Sequence, residues 1–311
     1  MTRWEDHVAD YLRLRRQLGA GLAWDEHLLG QYTAHLAASG DETITVTGAV
    51  AWAGFLPAGV TTRPATRAST RLTALRGFAV YMHALDPVHE VPPHGVFARP
   101  VQRPTPHIYT NAEITALLEA AGQLDRGVRA QTYPVLFALL AATGLRVGEA
   151  LGLDRDDVNL ETGVLSVSRG KSGTPRLVPV HERTRTALER YAAWRDERDQ
   201  NPDGGNGPFF TERDGARLRY GNARGAFVQA CNAAGIRTET QHPRMHSLRH
   251  TFAVNTLLGW YRDGVDVAAR MPVLSTYLGH TDPANTYWYL SAVPELLAHA
   301  ATRLADAHEE A

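Results

Sequence analysis

A proline-rich stretch about a third of the way along the chain limits how this sequence can fold. Residues 91–106 show no hydrophobic periodicity and contain two arginines, Arg99 and Arg103, among five prolines: Pro92, Pro93, Pro100, Pro104 and Pro106. Proline fixes one backbone angle and removes a hydrogen-bond donor, so this stretch is typical of a semi-rigid linker. We therefore predict a first domain over residues 1–91, a linker over 92–107 and a second domain over 108–311.

The first domain is predicted to be all helical. Apolar residues between Trp4 and Leu18 recur at spacings of three, four and seven, which places them on one helical face. A second helix is predicted over residues 65–85, because its apolar residues form a stripe and Asp86-Pro87 stops it.

Three arginines accompany this second helix at four-residue spacing: Arg63, Arg67 and Arg71. If the helix begins early enough, they share one face. That face is either a surface that binds DNA phosphates or an ordinary solvated helix face.

The second domain is predicted to mix helices with short strands. Thr110 and Glu113 form a capping-box pattern, and the apolar residues 135–140 predict a buried helix. Strands are predicted over residues 157–160, 164–168 and 176–180, and helices over about 182–198, 222–234, 247–260 and 285–305. The predicted fold class is therefore mainly α with a small antiparallel β-sheet.

The composition says more about the cellular compartment of the protein than about its function. The net charge is −1 and the pI is about 6.9, so the whole chain lacks the basic balance common in nucleic-acid binders, although local patches can still bind DNA. The single Cys231 excludes an internal disulfide and a cysteine-based metal cluster. With no apolar run near membrane-span length and no signal-type N-terminus, we expect a cytoplasmic protein without a membrane partner.

The only lysine of the chain lies in a glycine-rich turn. Of 32 basic residues, 31 are arginine, and Lys171 lies within residues 169–175, at the tip of a predicted hairpin. Arginine keeps its proton near neutral pH, whereas lysine can give it up. Lys171 is therefore a candidate general acid, or else one surface lysine in an arginine-biased chain.

Three further patterns in the second domain contain residues suited to phosphate chemistry. A glycine turn delivers Arg146 to the start of a helix, with Glu149 one turn later. His246 and Arg249 are three residues apart and share a helical face. The third pattern is Leu278-Gly279-His280, followed nine residues later by Tyr289. Each pattern alone also fits an ordinary ion pair, a structural histidine or an aromatic core.

In this order, the patterns closely resemble those of the tyrosine recombinase, or phage integrase, family over residues 108–305. The resemblance implies that residues 1–91 are a helical core-binding domain that contacts DNA and that 108–311 is the catalytic domain. It implies six catalytic residues and a supporting acid, Glu149; the six are Arg146, Lys171, His246, Arg249, His280 and Tyr289.

The resemblance implies a DNA strand-transfer reaction. Arg146 and Arg249 would clamp the scissile phosphate with help from His280, and His246 would assist proton transfer or hold the site in shape. Tyr289 would attack phosphorus to form a 3′-phosphotyrosyl link, and Lys171 would protonate the leaving oxygen.

No cofactor, metal or ATP is expected. The phosphotyrosine conserves the bond energy needed for rejoining, and no phosphate-loop pattern occurs. His246 and His250 have zinc-compatible spacing, but the glutamate of the zinc motif and a third ligand are missing.

The expected partners are double-stranded DNA with specific recombination sites and further copies of the chain, as dimers or tetramers on DNA. A helix over residues 295–305 is a candidate either for contact with a neighbouring copy or for packing on its own domain. The alternatives are a type IB topoisomerase, a non-catalytic DNA-binding member of the fold and a metal-dependent nuclease. A mobile element is the expected origin, and the DNA target is not given by the sequence.

Overall fold

The chain divides into two compact units, Met1–Arg103 and Pro104–Ala311. The structure is a computed structural model that describes residues 3–18, 22–55, 64–97, 106–125, 127–168, 175–198, 206–280 and 282–292. The predicted tip of the Lys171 hairpin, Arg63 and the predicted C-terminal helix segment 295–305 lie outside these residues. None of the described helices is both long and apolar enough to cross a bilayer.

Helices form the first unit in the part of it that the structure describes: α1 Arg3–Gln17, α2 Ala23–Ser39, α3 Val46–Gly54 and α4 Pro64–Leu85. Their core is aromatic and aliphatic, with Tyr11, Tyr32, Trp52, Leu75 and Phe78 buried together. The apolar stripe predicted for α4 is buried, and the helix ends at Leu85, directly before the predicted stop.

The arginine face predicted on α4 needs a correction. Arg71 is buried, its guanidinium lies 3.9 Å from the ring centre of Trp52, and its Nη1 donates to the carbonyl of Phe55. Arg67, four residues earlier, is half-buried. The regular spacing correctly placed both residues on one helix, but it did not show that α3 covers part of that face.

The second unit begins with helices α5 Asn111–Gly122, α6 Val128–Thr143 and α7 Val147–Gly152. The predicted capping box is present, since the Thr110 hydroxyl accepts from the Glu113 backbone and the Glu113 carboxylate accepts from the Thr110 backbone. The apolar middle of α6 is buried, and this helix packs against α5, α8 and α10.

A small antiparallel sheet follows, as predicted. Its strands are β1 Val158–Asn159, β2 Val164–Val167 and β3 Arg176–Pro179, in the order β1-β2-β3. Leu165 pairs with Val158 on one side and Val178 on the other, and all three side chains are buried against the helices.

The remaining helices are α8 Glu182–Asp196, α9 Tyr220–Ala233, α10 Met245–Arg262, α11 Val267–Leu278 and α12 Ala284–Ala292. Of these, α11 was not predicted. It packs with α10 and α12 around a second apolar cluster that includes Leu257, Met271 and Leu274. The mainly α fold class with a small antiparallel sheet is confirmed.

Candidate active site

Arg146 is held at the junction of two helices. Helix α6 ends at Gly144 with a left-handed backbone angle φ of 61°, a conformation that favours glycine, and the chain then enters α7. The guanidinium of Arg146 donates from Nη1 to Glu149 at 2.8 Å and from Nη2 to the Gly279 carbonyl at 2.7 Å. About a quarter of the side chain, 24 %, stays exposed to solvent, so the group is accessible to a ligand.

Arg249 lies in the first turns of α10 and is only 2 % exposed. Its Nη1 donates to the carbonyl of Gly144 at 2.7 Å, and its Nη2 donates to the carbonyl of Leu278 at 2.6 Å. Burial lowers the pKa of Arg249, and the charge of Arg146 lowers it further, to about 10. The group remains a cation at neutral pH, and the two arginines repel one another unless an anion lies between them.

Three guanidiniums donate hydrogen bonds to the C-terminus of α11. The carbonyls of Tyr277, Leu278 and Gly279 accept hydrogen bonds from Arg176, Arg249 and Arg146, respectively. The last carbonyls of a helix have no partner within it and form the negative end of the helix dipole, so they suit cations.

Glu149 is the acid that holds this arrangement. It is 2 % exposed and pairs with Arg146 on one side and Arg176 on the other, each at 2.8 Å. Burial alone would raise the pKa of Glu149, but the hydrogen bonds from Arg176 and Arg146 outweigh this effect, and the pKa is lowered. The carboxylate therefore stays charged and fixes the direction of the Arg146 fork.

Arg176 was not identified from the sequence. It is the first residue of β3, and its side chain is 8 % exposed and donates to both oxygens of Glu149. A signal was available: an arginine beginning a short, half-buried strand must find an acceptor inside the protein.

The two predicted histidines are neutral at pH 7. Burial lowers the pKa of His280, and Arg249 and Arg146 lower it further, to about 4. Its Nδ1 lies 2.7 Å from the hydroxyl of Thr286, which fixes the ring.

His246 sits beside the same cations. Desolvation by the surrounding protein, then Arg249 and Arg146, lowers the pKa of His246 from 6.5 to about 4. The side chain is nevertheless exposed, so water screens part of this effect.

Tyr289 lies on α12 and is 2 % exposed. Its hydroxyl is 3.0 Å from Nδ1 of His250, the residue that directly follows the buried Arg249. No role for His250 was predicted from the sequence beyond an unfulfilled zinc spacing.

The structure thus brings together Glu149 and five of the six predicted catalytic residues, all within the second unit: Arg146, His246, Arg249, His280 and Tyr289. The sixth, Lys171, lies outside the described residues. Within the described part of the chain, no three His, Cys, Asp or Glu side chains lie close enough to hold a metal ion.

This geometry defines a class of site. Two guanidiniums and two neutral imidazoles lie in one region with a buried phenol, which suits an anionic phosphodiester and its attack by a tyrosine oxygen. The site is therefore typical of an enzyme that transfers phosphoryl groups through tyrosine.

Comparisons with known proteins identify the family. The profile of the phage integrase family matches residues 108–295. A putative integrase/recombinase, y4rB, of Sinorhizobium fredii (strain NBRC 101917 / NGR234) is 36% identical over 98% of both chains. The tyrosine recombinase XerD of Mycobacterium leprae is 32% identical over 90% of this chain and 89% of its own. This chain belongs to the phage integrase family of tyrosine recombinases, enzymes that cleave and rejoin DNA at specific sites, and the predicted resemblance is confirmed.

Solved structures show the same fold. The Tn1549 transposon integrase in complex with transposon right end DNA has a TM-score of 0.64 and 19% identity, covering 96% of this chain and 99% of that one. A lambda integrase dimer bound to a COC′ core site has a TM-score of 0.55 and 19% identity, with 91% of this chain and 96% of that chain covered.

Proposed function

We propose that this protein is a site-specific DNA recombinase that cleaves and rejoins strands through a covalent 3′-phosphotyrosyl intermediate on Tyr289. One observation carries the proposal: Arg146 and Arg249 are both anchored at the C-terminus of α11, and the Tyr289 hydroxyl lies 3.0 Å from His250, the residue next to Arg249. A phosphodiester between these groups meets positive charge on its non-bridging oxygens and a nucleophile at phosphorus.

The anchoring of the arginines favours phosphate binding over internal ion pairing. Both Nη atoms of Arg249 donate to neutral carbonyls, those of Gly144 and Leu278, and these bonds do not cancel its charge. Arg146 shares Glu149 with Arg176, which leaves net positive charge on the group of three. A scissile phosphate supplies the missing negative charge.

In this proposal His280 joins Arg146 and Arg249 in binding the phosphate, and these three residues form the phosphate cradle. With Thr286 donating to Nδ1, the neutral imidazole carries its proton on Nε2, which then donates to a non-bridging oxygen. His246 assists nearby, and its neutral state at pH 7 allows it to accept or donate a proton.

The strand-transfer step follows from these roles. The Tyr289 oxygen forms a bond to phosphorus, the bond from phosphorus to the 5′ oxygen breaks, and Lys171 gives that oxygen its proton. A 5′-hydroxyl from a second strand later attacks the phosphotyrosine and restores the phenol. Neither step requires ATP, and we expect no metal.

The wider assignments rest on the family and on the relatives. Residues 1–91 act as the core-binding domain, residues 92–107 as the linker and residues 108–311 as the catalytic domain. Arg63 and Arg67 are DNA contacts of the core-binding domain. Double-stranded DNA carrying specific sites is the substrate, and dimers or tetramers assemble on it. The similarity to a putative integrase/recombinase favours a mobile element, and we place the protein in the cytoplasm.

Trapping of a covalent protein–DNA adduct tests the proposal. Nicked suicide duplexes that tile the DNA flanking the native gene are incubated with the protein in EDTA, and adducts resistant to denaturant are mapped. We expect one preferred junction, loss of the adduct in Tyr289→Phe, and retention in Tyr287→Phe, because Tyr287 is the exposed neighbouring phenol. An adduct that persists in Tyr289→Phe contradicts the assignment.

The same preparation separates the alternatives. A topoisomerase relaxes supercoiled DNA that lacks the mapped junction, whereas a recombinase requires it. A non-catalytic member binds DNA without forming an adduct, and a metal-dependent nuclease is inactive in EDTA.

A further inference from the structure

We propose that His250 is the general base that takes the phenolic proton of Tyr289 during strand cleavage. This inference rests on the proposed function, because it assigns one proton transfer within that reaction. It gives a role to a part-buried contact that phosphate binding by the two arginines and His280 does not use.

The contact between the two residues has the geometry of proton transfer. Nδ1 of His250 and the hydroxyl oxygen of Tyr289 are 3.0 Å apart, across 39 residues of sequence. A general base must lie within about 2.6–3.2 Å of the atom whose proton it removes. Tyr289 is 2 % exposed, so bulk water has little access to take that proton instead.

Packing fixes the imidazole in this position. The ring of His246 stands edge-on to that of His250, with 4.8 Å between ring centres, and Trp288 lies 5.7 Å away on the other helix. Helices α10 and α12 therefore hold His250 between them, and the same packing aligns it with Tyr289.

The charges around the pair favour loss of the phenolic proton. Arg249 precedes His250 on α10 and is coupled electrostatically to Tyr289, while Arg146 from α7, His280 after α11 and His246 on α10 complete the surroundings. A phenolate that develops beside these guanidiniums is stabilised by them.

The proton balance of the step is complete. As the Tyr289 oxygen forms its bond to phosphorus, its proton passes to Nδ1 of His250 and the bond to the 5′ oxygen breaks. That oxygen takes its proton from the acid, the role proposed for Lys171. On rejoining, the attacking 5′-hydroxyl gives its proton to the now neutral acid, and the displaced Tyr289 oxygen recovers its proton from His250.

His246, the other histidine of the same motif, suits this role less well. Its pKa is lowered by its surroundings and by Arg249 and Arg146, the two cations assigned to the phosphate. His250, in contrast, has its Nδ1 within hydrogen-bond distance of the Tyr289 hydroxyl, at 3.0 Å.

A substitution that keeps the hydrogen bond but removes the basicity tests the inference. In His250→Asn, the side-chain oxygen occupies a place near Nδ1 and can accept from the phenol, but it cannot take up its proton. The probe is a nicked suicide duplex carrying the junction mapped by adduct trapping, with a bridging 5′-phosphorothiolate at the scissile position. Its sulfur leaves without an acid, so the single-turnover rate reports activation of the nucleophile.

We expect His250→Asn to cleave this probe about 100-fold more slowly than the wild type, within the range of general-base contributions. The wild-type rate should rise with pH and level off above the imidazole titration, whereas the His250→Asn rate should continue to climb as the phenol ionises. Lys171→Ala should approach the wild-type rate on this probe. His94→Asn, at an exposed histidine of the first unit, should match the wild type throughout.

The outcomes are distinct. If His250→Asn cleaves within about threefold of the wild type with the same pH profile, His250 only holds the ring and the inference is overturned. Binding of the nicked duplex and the melting temperature show whether each variant is folded. If His250→Asn is unfolded, the wild-type enzyme decides: a cleavage rate that does not fall at low pH overturns the inference. If the wild type forms no adduct on any duplex, the proposed function fails and this inference fails with it.

Discussion

The guanidinium of Arg249 donates a hydrogen bond of 2.7 Å to the carbonyl oxygen of Gly144, which lies 105 residues earlier in the sequence. Gly144 also ends α6 in the left-handed conformation and so starts the turn that delivers Arg146. Gly144 thus positions both arginines: its carbonyl accepts a hydrogen bond from Arg249, and its turn places Arg146 two residues later. The two phosphate-binding groups are therefore linked through backbone rather than through long side chains alone.

Gly144→Ala should damage both stability and cleavage. A Cβ at this position would lie 2.6 Å from Cδ1 of Phe252, and the φ of +61° is unfavourable for alanine. The left-handed conformation alone costs about 1–2 kcal/mol, and the clash adds to it. We expect a melting temperature several degrees lower and a cleavage rate reduced by about tenfold or more.

Gly235→Ala is the matched control for this prediction. Gly235 has a φ of +69° but no atom within 4 Å of the added Cβ, so alanine there carries the backbone cost without the clash. Equal loss of stability in the two variants, with unchanged cleavage in Gly144→Ala, would contradict the proposed link between Gly144 and the arginines.

Arg176 should be needed for cleavage although it is not expected to contact DNA. It bridges Glu149 and the carbonyl of Tyr277, so Arg176→Lys keeps the charge but cannot make both sets of contacts. Loss of one charge-assisted hydrogen bond costs about 1.5–3 kcal/mol, which corresponds to roughly 10- to 150-fold in rate if the whole cost falls on the positioned Arg146.

Single-turnover cleavage and DNA retention measure this effect separately. We expect cleavage by Arg176→Lys to fall while binding changes by only a few fold. Arg190→Lys, at an exposed position on α8, provides the control and should leave both unchanged. A variant that loses binding and cleavage in equal measure would show that Arg176 contacts DNA instead.

The local features of this fold could be read from the sequence because they depend on neighbouring residues. The apolar stripe of α4, the Thr110–Glu113 capping box and the three strands follow from spacing and turn chemistry, and the structure confirms them. Helix α11 was not predicted because it contains Pro272 in its interior, although Asp266 caps its start and Gly279 ends it.

The contacts that complete the site could not be read in the same way. Arg176 reaches Glu149 from 27 residues away and His250 reaches Tyr289 from 39, and neither spacing is a local signal. The family resemblance supplied the members of the cradle, since their motifs are local. Arg176 and His250 contact residues of the site from distant positions in the sequence, so only the folded structure identifies them.

Arg67 and Arg71, one turn apart on α4, should behave differently on DNA. Arg71 stacks on Trp52 and bonds to Phe55, so Arg71→Met should lower the free energy of unfolding by about 1–3 kcal/mol, through lost cation–π and charged hydrogen-bond contacts. Arg67 is half-buried, and Arg67→Ala should weaken DNA binding and reduce the slope of log affinity against log salt by about one. A reduced salt slope in folded Arg71→Met would show that this guanidinium turns outward to a phosphate.

The lowered pKa of His280 should be visible as a pH effect on folding. Burial and the nearby guanidiniums place this pKa at about 4 in the folded protein, against 6.5 in the unfolded chain. Between these values the unfolded chain binds a proton that the folded protein refuses, so the free energy of unfolding falls as pH is lowered from 6.5 towards 4. NMR titration of the imidazole, assigned with His280→Gln, should give a midpoint well below 6.5. His280→Gln should also lose part of the pH dependence of urea unfolding across this window, because its side chain takes up no proton in either state. If His280 titrates at an ordinary value, the guanidiniums of Arg249 and Arg146 do not face it as described, and the phosphate cradle lacks the neutral donor assigned to it.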